Sequence, residues 1–293
     1  MTWLADRQPT HGDRAMHGAE SVAPNLWRGL VGGFDPTLGV SGASVRDTVA
    51  TNDAVLSGTN KPAWTTHAGR PALYLGDGTS GVDGYLDSPL VLPDRFSIAA
   101  WVSTASDSDF YAFGPPTGTH QNCLAQAAAN RFLLQFDSTN FAYFSFLNFD
   151  TADLNKWQLV IATCPGTATG DVLNAKVFAN GVEQPFTSGN TSTAQDARTN
   201  IHFGEAEDWY RFDGHLGACF VWDRMLSASE SKQLYELGRG GIYHKRITRV
   251  KSSAVVPAVA VGHGLSGLEF GTTYDAGTIA PTGPQHIEAG ITV

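Results

Sequence analysis

Asp208, Trp209, Tyr210 and Arg211 stand side by side and offer the chain's most ligand-like chemistry. Aromatic rings present flat faces on which a sugar can stack, and Asp and Arg can bond its hydroxyls. The same four would also serve as a subunit contact or an aromatic plug over the end of a β-structure, and structural uses of this kind are the commoner ones. A second chemistry is metal binding. Asp77, Asp83 and Asp87, with Asp107 and Asp109, are hard oxygen donors of the type Ca2+ takes. They match no EF-hand loop, and Asp beside Gly is more often a turn former. The His residues are scattered, with no H-x-x-x-H or H-E-x-x-H pair, so zinc has no support. No Ser-His-Asp spacing, G-x-S-x-G or phosphate-binding glycine loop occurs; GRGG at 238–241 is a flexible junction.

The composition sets bounds on the elements that must position these groups. The chain has 293 residues with 32 Gly, 14 Pro, 11% aromatic and 16% charged residues, which suits one large β-sandwich with extensions, rich in turns. A net charge of −9 argues against wholesale nucleic-acid binding. No apolar run approaches the ~18 residues of a membrane span. The N-terminal MTWLADRQPTHGDRAMHG is polar, without the apolar core of a signal peptide. The expectation is a protein that stays in the cytosol or leaves by lysis or within a particle. Cys123, Cys164 and Cys219 form no C-x-x-C pair, and the odd count points to free thiols, buried in the case of Cys164 and Cys219.

Strand patterns dominate. In 96–103, Phe96, Ile98, Ala100 and Val102 fall on one face, and Ser97, Ala99, Trp101 and Ser103 on the other. In 212–222, Leu216, Ala218, Phe220 and Trp222 are expected to share a face. In 141–149, FAYFSFLNF, apolar residues on both faces suggest a strand covered on both sides. Asn180-Gly181 is a favoured two-residue hairpin turn. Asp47 and Asn52 suit local backbone bonding in a turn. Ser227 and Glu230 have capping-box spacing, which predicts a helix from Ala228 to Leu237, with Gly238 at a left-handed C′ position.

These patterns carry a family resemblance. FDGHLGACFVWDRMLSASE at 212–230 resembles the last strand and helix start of a LamG-like jelly roll of the concanavalin A-like superfamily. LWRGLVGGFDP, SVRDTVATNDAVLSG, FSIAAWV, LNAKVFANG and NIHFG follow in the family's order. The similarity covers about residues 26–238. It implies an all-β antiparallel jelly-roll sandwich with one short C-terminal helix and extended terminal arms, the first strand falling within 26–36. In such a fold Trp101 is a packed structural aromatic rather than a sugar platform. Relatives often bind Ca2+, so Ca2+ is an optional ligand here and no cofactor is required. The superfamily's glycoside hydrolases carry an E-x-D-x-x-E strand, whose period of two sets acid and nucleophile in one cleft. Glu205-Ala206-Glu207-Asp208 lacks the third acid, with Tyr210 in its place. No enzymatic activity is expected. Where the family has an acid after its Gly-x-Leu/Ile pair, this chain has Gly217.

Three segments result: an arm at 1–25, the sandwich at 26–238, and a basic junction and strand-rich tail at 239–293. Arg239, Lys245, Arg246, Arg249 and Lys251 place five cations in 13 residues, with no acid between Leu237 and Leu268. The tail is short for a domain, and its strands need a partner sheet. A sandwich followed by GRGG and a basic segment resembles surface or tail components of bacterial viruses, which implies a structural surface protein of a bacteriophage virion, capsid- or tail-associated. It would be assembled in the host cytoplasm as a homo-oligomer or with other virion proteins through 1–25 and 239–293, gripping a surface glycan, without nucleic acid or membrane. The alternative is a soluble, Ca-assisted carbohydrate-binding module.

Overall fold

The structure is a computed structural model that describes residues 23, 25–38, 42–76, 84–104, 113–114, 125–128, 131–136, 140–145, 155–191, 200–206, 210–212 and 214–239. The described strands are β1 (Leu30–Phe34), β2 (Ser44–Val45), β3 (Ala54–Gly58), β4 (Ala63–His67), β5 (Arg70–Gly76), β6 (Gly84–Val91) and β7 (Phe96–Thr104). Then come β8 (Phe113–Gly114), β9 (Ala125–Ala128), β10 (Arg131–Gln135), β11 (Phe141–Ser145), β12 (Gln158–Cys164) and β13 (Lys176–Ala179). The last are β14 (Val182–Glu183), β15 (Phe186–Asn190), β16 (Asn200–Phe203), β17 (Glu205–Ala206), β18 (Tyr210–Arg211) and β19 (Gly214–Trp222), before helix α1 (Ala228–Arg239). No helix among the described residues is long and apolar enough to cross a membrane.

All the pairings among the described residues are antiparallel. The largest sheet has eight strands, ordered β14-β13-β12-β7-β19-β5-β4, with β1 also on β19. Strands β2-β3-β6-β16-β8 form a second sheet, and β15-β11-β10-β9 a third. The inward row of β7, Phe96, Ile98, Ala100 and Val102, joins Leu56, Leu86, Phe132, Phe144 and Phe203 of the smaller sheets in one apolar core. Period two in β7 therefore holds as expected, and its outward row feeds a second cluster. There Trp101, Leu159, Ile161, Phe178, Phe220 and Trp222 pack under Leu234 and Leu237 of α1 and under Leu26 and Trp27.

Several local expectations hold. Asn180 and Gly181 both have positive φ (50° and 79°), the geometry a two-residue hairpin needs. Asp47 is buried and accepts the backbone N–H groups of Gly33, Val49 and Asn52. The capping box closes, with Ser227 N donating to Glu230 Oε2 at 2.8 Å and Glu230 N to Ser227 Oγ at 3.3 Å. Cys164 and Cys219 are buried free thiols, and burial pushes the Cys219 thiol up.

Other expectations fail for identifiable reasons. Leu26 and Trp27 are not in the first strand: residues 25–29 form turns, with backbone bonds Leu26 N–Ala23 O and Leu30 N–Trp27 O, and both side chains are buried. Leu216 does not share a face with Ala218, Phe220 and Trp222. Leu216 pairs with Val102 but Cys219 with Ala100, so β19 spends an extra residue at a bulge and changes phase. Strand β11 ends at Ser145, and it is fully covered on one side, with Ala142 and Phe144 buried, and partly on the other, with Phe141 and Tyr143 half-buried; residues 146–149 lie outside the described residues. Gly238 is not a left-handed C′ residue. It lies inside α1, where a Cβ would stand 2.4 Å from Cζ2 of Trp101. Its use is close approach of helix to indole.

Candidate functional site

The solvent face of the second sheet carries a polar and aromatic group that period two places there. On β6, Tyr85 and Asp87 alternate with buried Gly84, Leu86 and Ser88. Register then sets His202 of β16 opposite Asp87, with Val55 of β3 opposite Asp87 on its other side. Nε2 of His202 donates to Asp87 Oδ1 at 3.1 Å, and Nδ2 of Asn200 approaches the same oxygen at 3.4 Å. A carboxylate can only accept, so the His202 proton is on Nε2. The Tyr85 ring stacks on the His202 imidazole at 4.4 Å and 24°.

Burial is uneven. The His202 side chain is 4% exposed and that of Asp87 42% exposed. His202 thus acts as a buried strut, aiming an exposed carboxylate. Oδ2 of Asp87 accepts nothing from the described residues. An oriented acceptor beside an aromatic ring, on a rigid sheet, is suited to a polyol: hydroxyls bond to Oδ2 and apolar C–H faces meet Tyr85. The third sheet adds a similar surface, where Phe141 and Tyr143 meet edge to face at 5.5 Å and the Arg131 guanidinium stands 5.1 Å from the Tyr143 ring centre.

The residues singled out from sequence fall close by in the chain. Strand β16 runs through Gly204 into β17, which pairs with β18 by Glu205–Arg211 and Ala206–Tyr210. The segment 205–211 is therefore partly a two-stranded ribbon. Tyr210 and Arg211 sit on its second strand, while Asp208 and Trp209 lie outside the described residues. Arg239 ends α1; Lys245, Arg246, Arg249 and Lys251 lie outside the described residues, as do Asp77, Asp83, Asp107 and Asp109. Asp87, weighed only as a Ca2+ ligand, turns out to be held by a histidine and an amide. Among the described residues no group of three His, Cys, Asp or Glu could hold a metal ion. Tyr85, Asn200 and His202 escaped the sequence reading. The signal was present: Tyr85-x-Asp87 and Asn200-x-His202 each put two polar or aromatic residues at i, i+2 on a strand whose intervening residues are apolar.

No curated protein sequence matches the chain. Among solved structures, domain 4 of AbnA, a GH43 extracellular arabinanase from Geobacillus stearothermophilus, in complex with arabinotriose, superposes with a TM-score of 0.51 at 15% identity. It covers 70% of this chain and 98% of its own. A botulinum neurotoxin type C structure, whose cell entry depends on two ganglioside molecules, gives 0.52 at 14% identity over 73% of this chain and 52% of its own. The binding domain of botulinum neurotoxin serotype D/C VPI 5993 gives 0.51 at 12%. At such identities the likeness shows fold alone. The sequence model of a laminin G-type family matches residues 77–230, more than half of the chain, and the protein belongs to the concanavalin A-like lectin/glucanases superfamily.

Proposed function

We propose that the protein is a non-catalytic, glycan-recognising sandwich displayed on a virion and anchored through residues 1–25 and 239–293. The observation that carries glycan recognition is the Asp87 carboxylate, aimed by His202 and Asn200, whose Oδ2 accepts nothing from the described residues. The fold supports it, since the arabinanase domain of similar fold is in complex with arabinotriose. A non-catalytic role is supported by partner chemistry: Asp87 bonds to a histidine and an amide, whereas glycoside hydrolysis pairs two carboxyls. Screening the full chain on a glycan array, then titrating the best neutral oligosaccharide into wild type and Asp87→Ala, tests this reading. Loss of binding in the variant supports it; binding that survives unchanged moves the site elsewhere.

The virion role is supported by a resemblance: a sandwich followed by GRGG and a basic segment, here five cations between 239 and 251 and then a tail rich in Val, Ala, Gly and Thr, looks like surface or tail components of bacterial viruses. Light scattering on the full chain and on a chain ending at Arg239 addresses it. An oligomer that becomes a monomer on truncation supports anchoring. A monomer in both cases favours the soluble, Ca-assisted binding module.

A further inference from the structure

The third sheet differs in charge from the sheet that carries Asp87. Its strands β9, β10, β11 and β15 read AQAA, RFLLQ, FAYFS and FTSGN, with no acid and a single cation, Arg131. The chain as a whole carries −9. Its own sheet therefore offers Arg131 no carboxylate, and exposed charges act only over a short range in salt.

Period two builds the face on which this cation stands. Phe132, Leu134, Ala142 and Phe144 belong to the core, so Arg131 and Leu133 of β10 and Phe141 and Tyr143 of β11 take the opposite face. Leu133 pairs with Tyr143, which makes Arg131 a diagonal neighbour of that ring, within reach of a long side chain. The guanidinium carbon accordingly lies 5.1 Å from the Tyr143 ring centre. Phe141 meets Tyr143 edge to face at 5.5 Å. On the other flank, β15 sets exposed Ser188 opposite Tyr143 and exposed Asn190 opposite Phe141.

Arg131 differs in availability from cations elsewhere in the fold. Lys176 is paired with Glu183 at 2.9 Å, and Arg224 with Glu230 and backbone carbonyls. Arg131 is exposed, and among the described residues no hydrogen bond or ion pair takes its N–H groups. Its cation–π contact steadies the group without consuming a donor. A guanidinium free in this way can grip a carboxylate or a sulfate through two parallel N–H bonds. Half-buried Phe141 offers an apolar ring to the C–H face of a sugar, and Ser188 and Asn190 offer partners for hydroxyls. Tyr143 stands between Phe141 and Arg131, so the ring contact and the anion belong to neighbouring units of one glycan.

We propose that this open face is a second saccharide site, selective for a glycan that bears a carboxylate or sulfate. One sugar lies on Phe141, and the anion of the next pairs with Arg131. The site is separate from the Asp87 face, whose exposed carboxylate repels anions.

The test is isothermal titration calorimetry of the full chain at pH 7 and low salt, with 3′-sialyllactose and 3′-sulfolactose against lactose. At least one acidic ligand binds more tightly than lactose, and its advantage shrinks as salt is raised. The carboxylate and sulfate arms tell which anion is taken. Arg131→Gln lowers acid affinity about fivefold, the upper range for a solvent-exposed pair, and removes the preference over lactose. Arg131→Lys keeps the charge without the planar fork and loses less. Phe141→Leu, which keeps apolar bulk but no flat ring, also weakens acid binding, and an unchanged thermal melt shows that the variant is folded. Asp87→Ala leaves acid binding unchanged, so failure of this site and failure of the Asp87 site are told apart. Failure of both acids to bind wild type overturns the proposal. So does equal binding of acidic and neutral sugars, or an acid preference that survives Arg131→Gln or is lost in Asp87→Ala. Triglutamate binding as tightly as the acidic sugar also overturns it, and would make the face a peptide-binding one.

Discussion

His67 and His215 stack with ring centres 3.9 Å apart and planes 14° from parallel. Ser103 Oγ holds His67 Nε2 at 2.9 Å, and the Tyr74 ring lies 5.2 Å from His215 at a 44° tilt. Two charged imidazoles cannot share that spacing cheaply. Burial first, and the His67 charge second, lower the His215 pKa from 6.5 to about 4.

This makes stability depend on pH in a stated direction. The unfolded chain binds a proton at His215 near pH 6.5, whereas the folded chain resists it until about pH 4. The contribution is complete above pH 6.5 and is lost as pH falls through that window. Because His215 is only half-buried, solvent screening reduces the effect to about 1 kcal/mol or less. Urea midpoints measured from pH 7 to pH 4 should fall less steeply in His215→Gln than in wild type. Identical slopes would show that the pair does not resist protonation.

Gly238→Ala sets helix propensity against packing. Alanine is better in a helix interior by about 1 kcal/mol. Yet its Cβ would sit 2.4–2.6 Å from Cζ2, Cε2 and Nε1 of Trp101. That ring is 4% exposed and stacked on Tyr235 at 5.9 Å, so it has little room to yield. Overpacking of this kind costs about 1–3 kcal/mol, and it should win. A denaturation midpoint lower than wild type is expected; a higher one would mean that α1 shifts freely.

Arg224 fastens the start of the fold to its end. Its guanidinium donates to the carbonyls of Arg28 at 2.6 Å, Asn25 at 3.0 Å and Leu26 at 3.1 Å, and pairs with Glu230 at 2.7 Å. Although burial opposes it, bonds from Arg224 and Ser227 hold the Glu230 carboxyl below its usual range. Arg224→Met should cost about 2 kcal/mol, as loss of charge-assisted bonds with unpaired carbonyls left behind. Hydrogen exchange at Leu26, Arg28 and Leu30 should accelerate more than exchange in β12. Uniform acceleration would make Arg224 a general rather than local fastener.

Sequence reading succeeded where one local rule decides the outcome. The Ser227–Glu230 box, the Asn180-Gly181 turn and the two faces of β7 each follow from spacing alone. It failed where a distant neighbour decides. Gly217 departs from the family motif, but nothing local marks a bulge there, because it depends on β5 and β1 meeting the same strand. Gly238 looks like a helix stop unless Trp101, more than a hundred residues earlier, is known to lie beneath it. The Asp87–His202 pair spans two strands, and only register joins them.

Asp87→Asn separates recognition from folding at that pair. The amide oxygen of Asn can still accept from His202 Nε2 and Asn200 Nδ2, so the strut survives. The position of Oδ2 changes from acceptor to NH2 donor. His202 is 3% exposed, but the carboxylate it aims is near the surface, so stability should change by less than about 0.5 kcal/mol. Affinity for a neutral oligosaccharide should fall about tenfold, because a buried ligand hydroxyl would meet a donor where it needs an acceptor. Paired thermal melts and calorimetry read both numbers from one sample. A melt that collapses with affinity would make the pair structural; affinity that holds while the melt is unchanged would remove Asp87 from the binding surface.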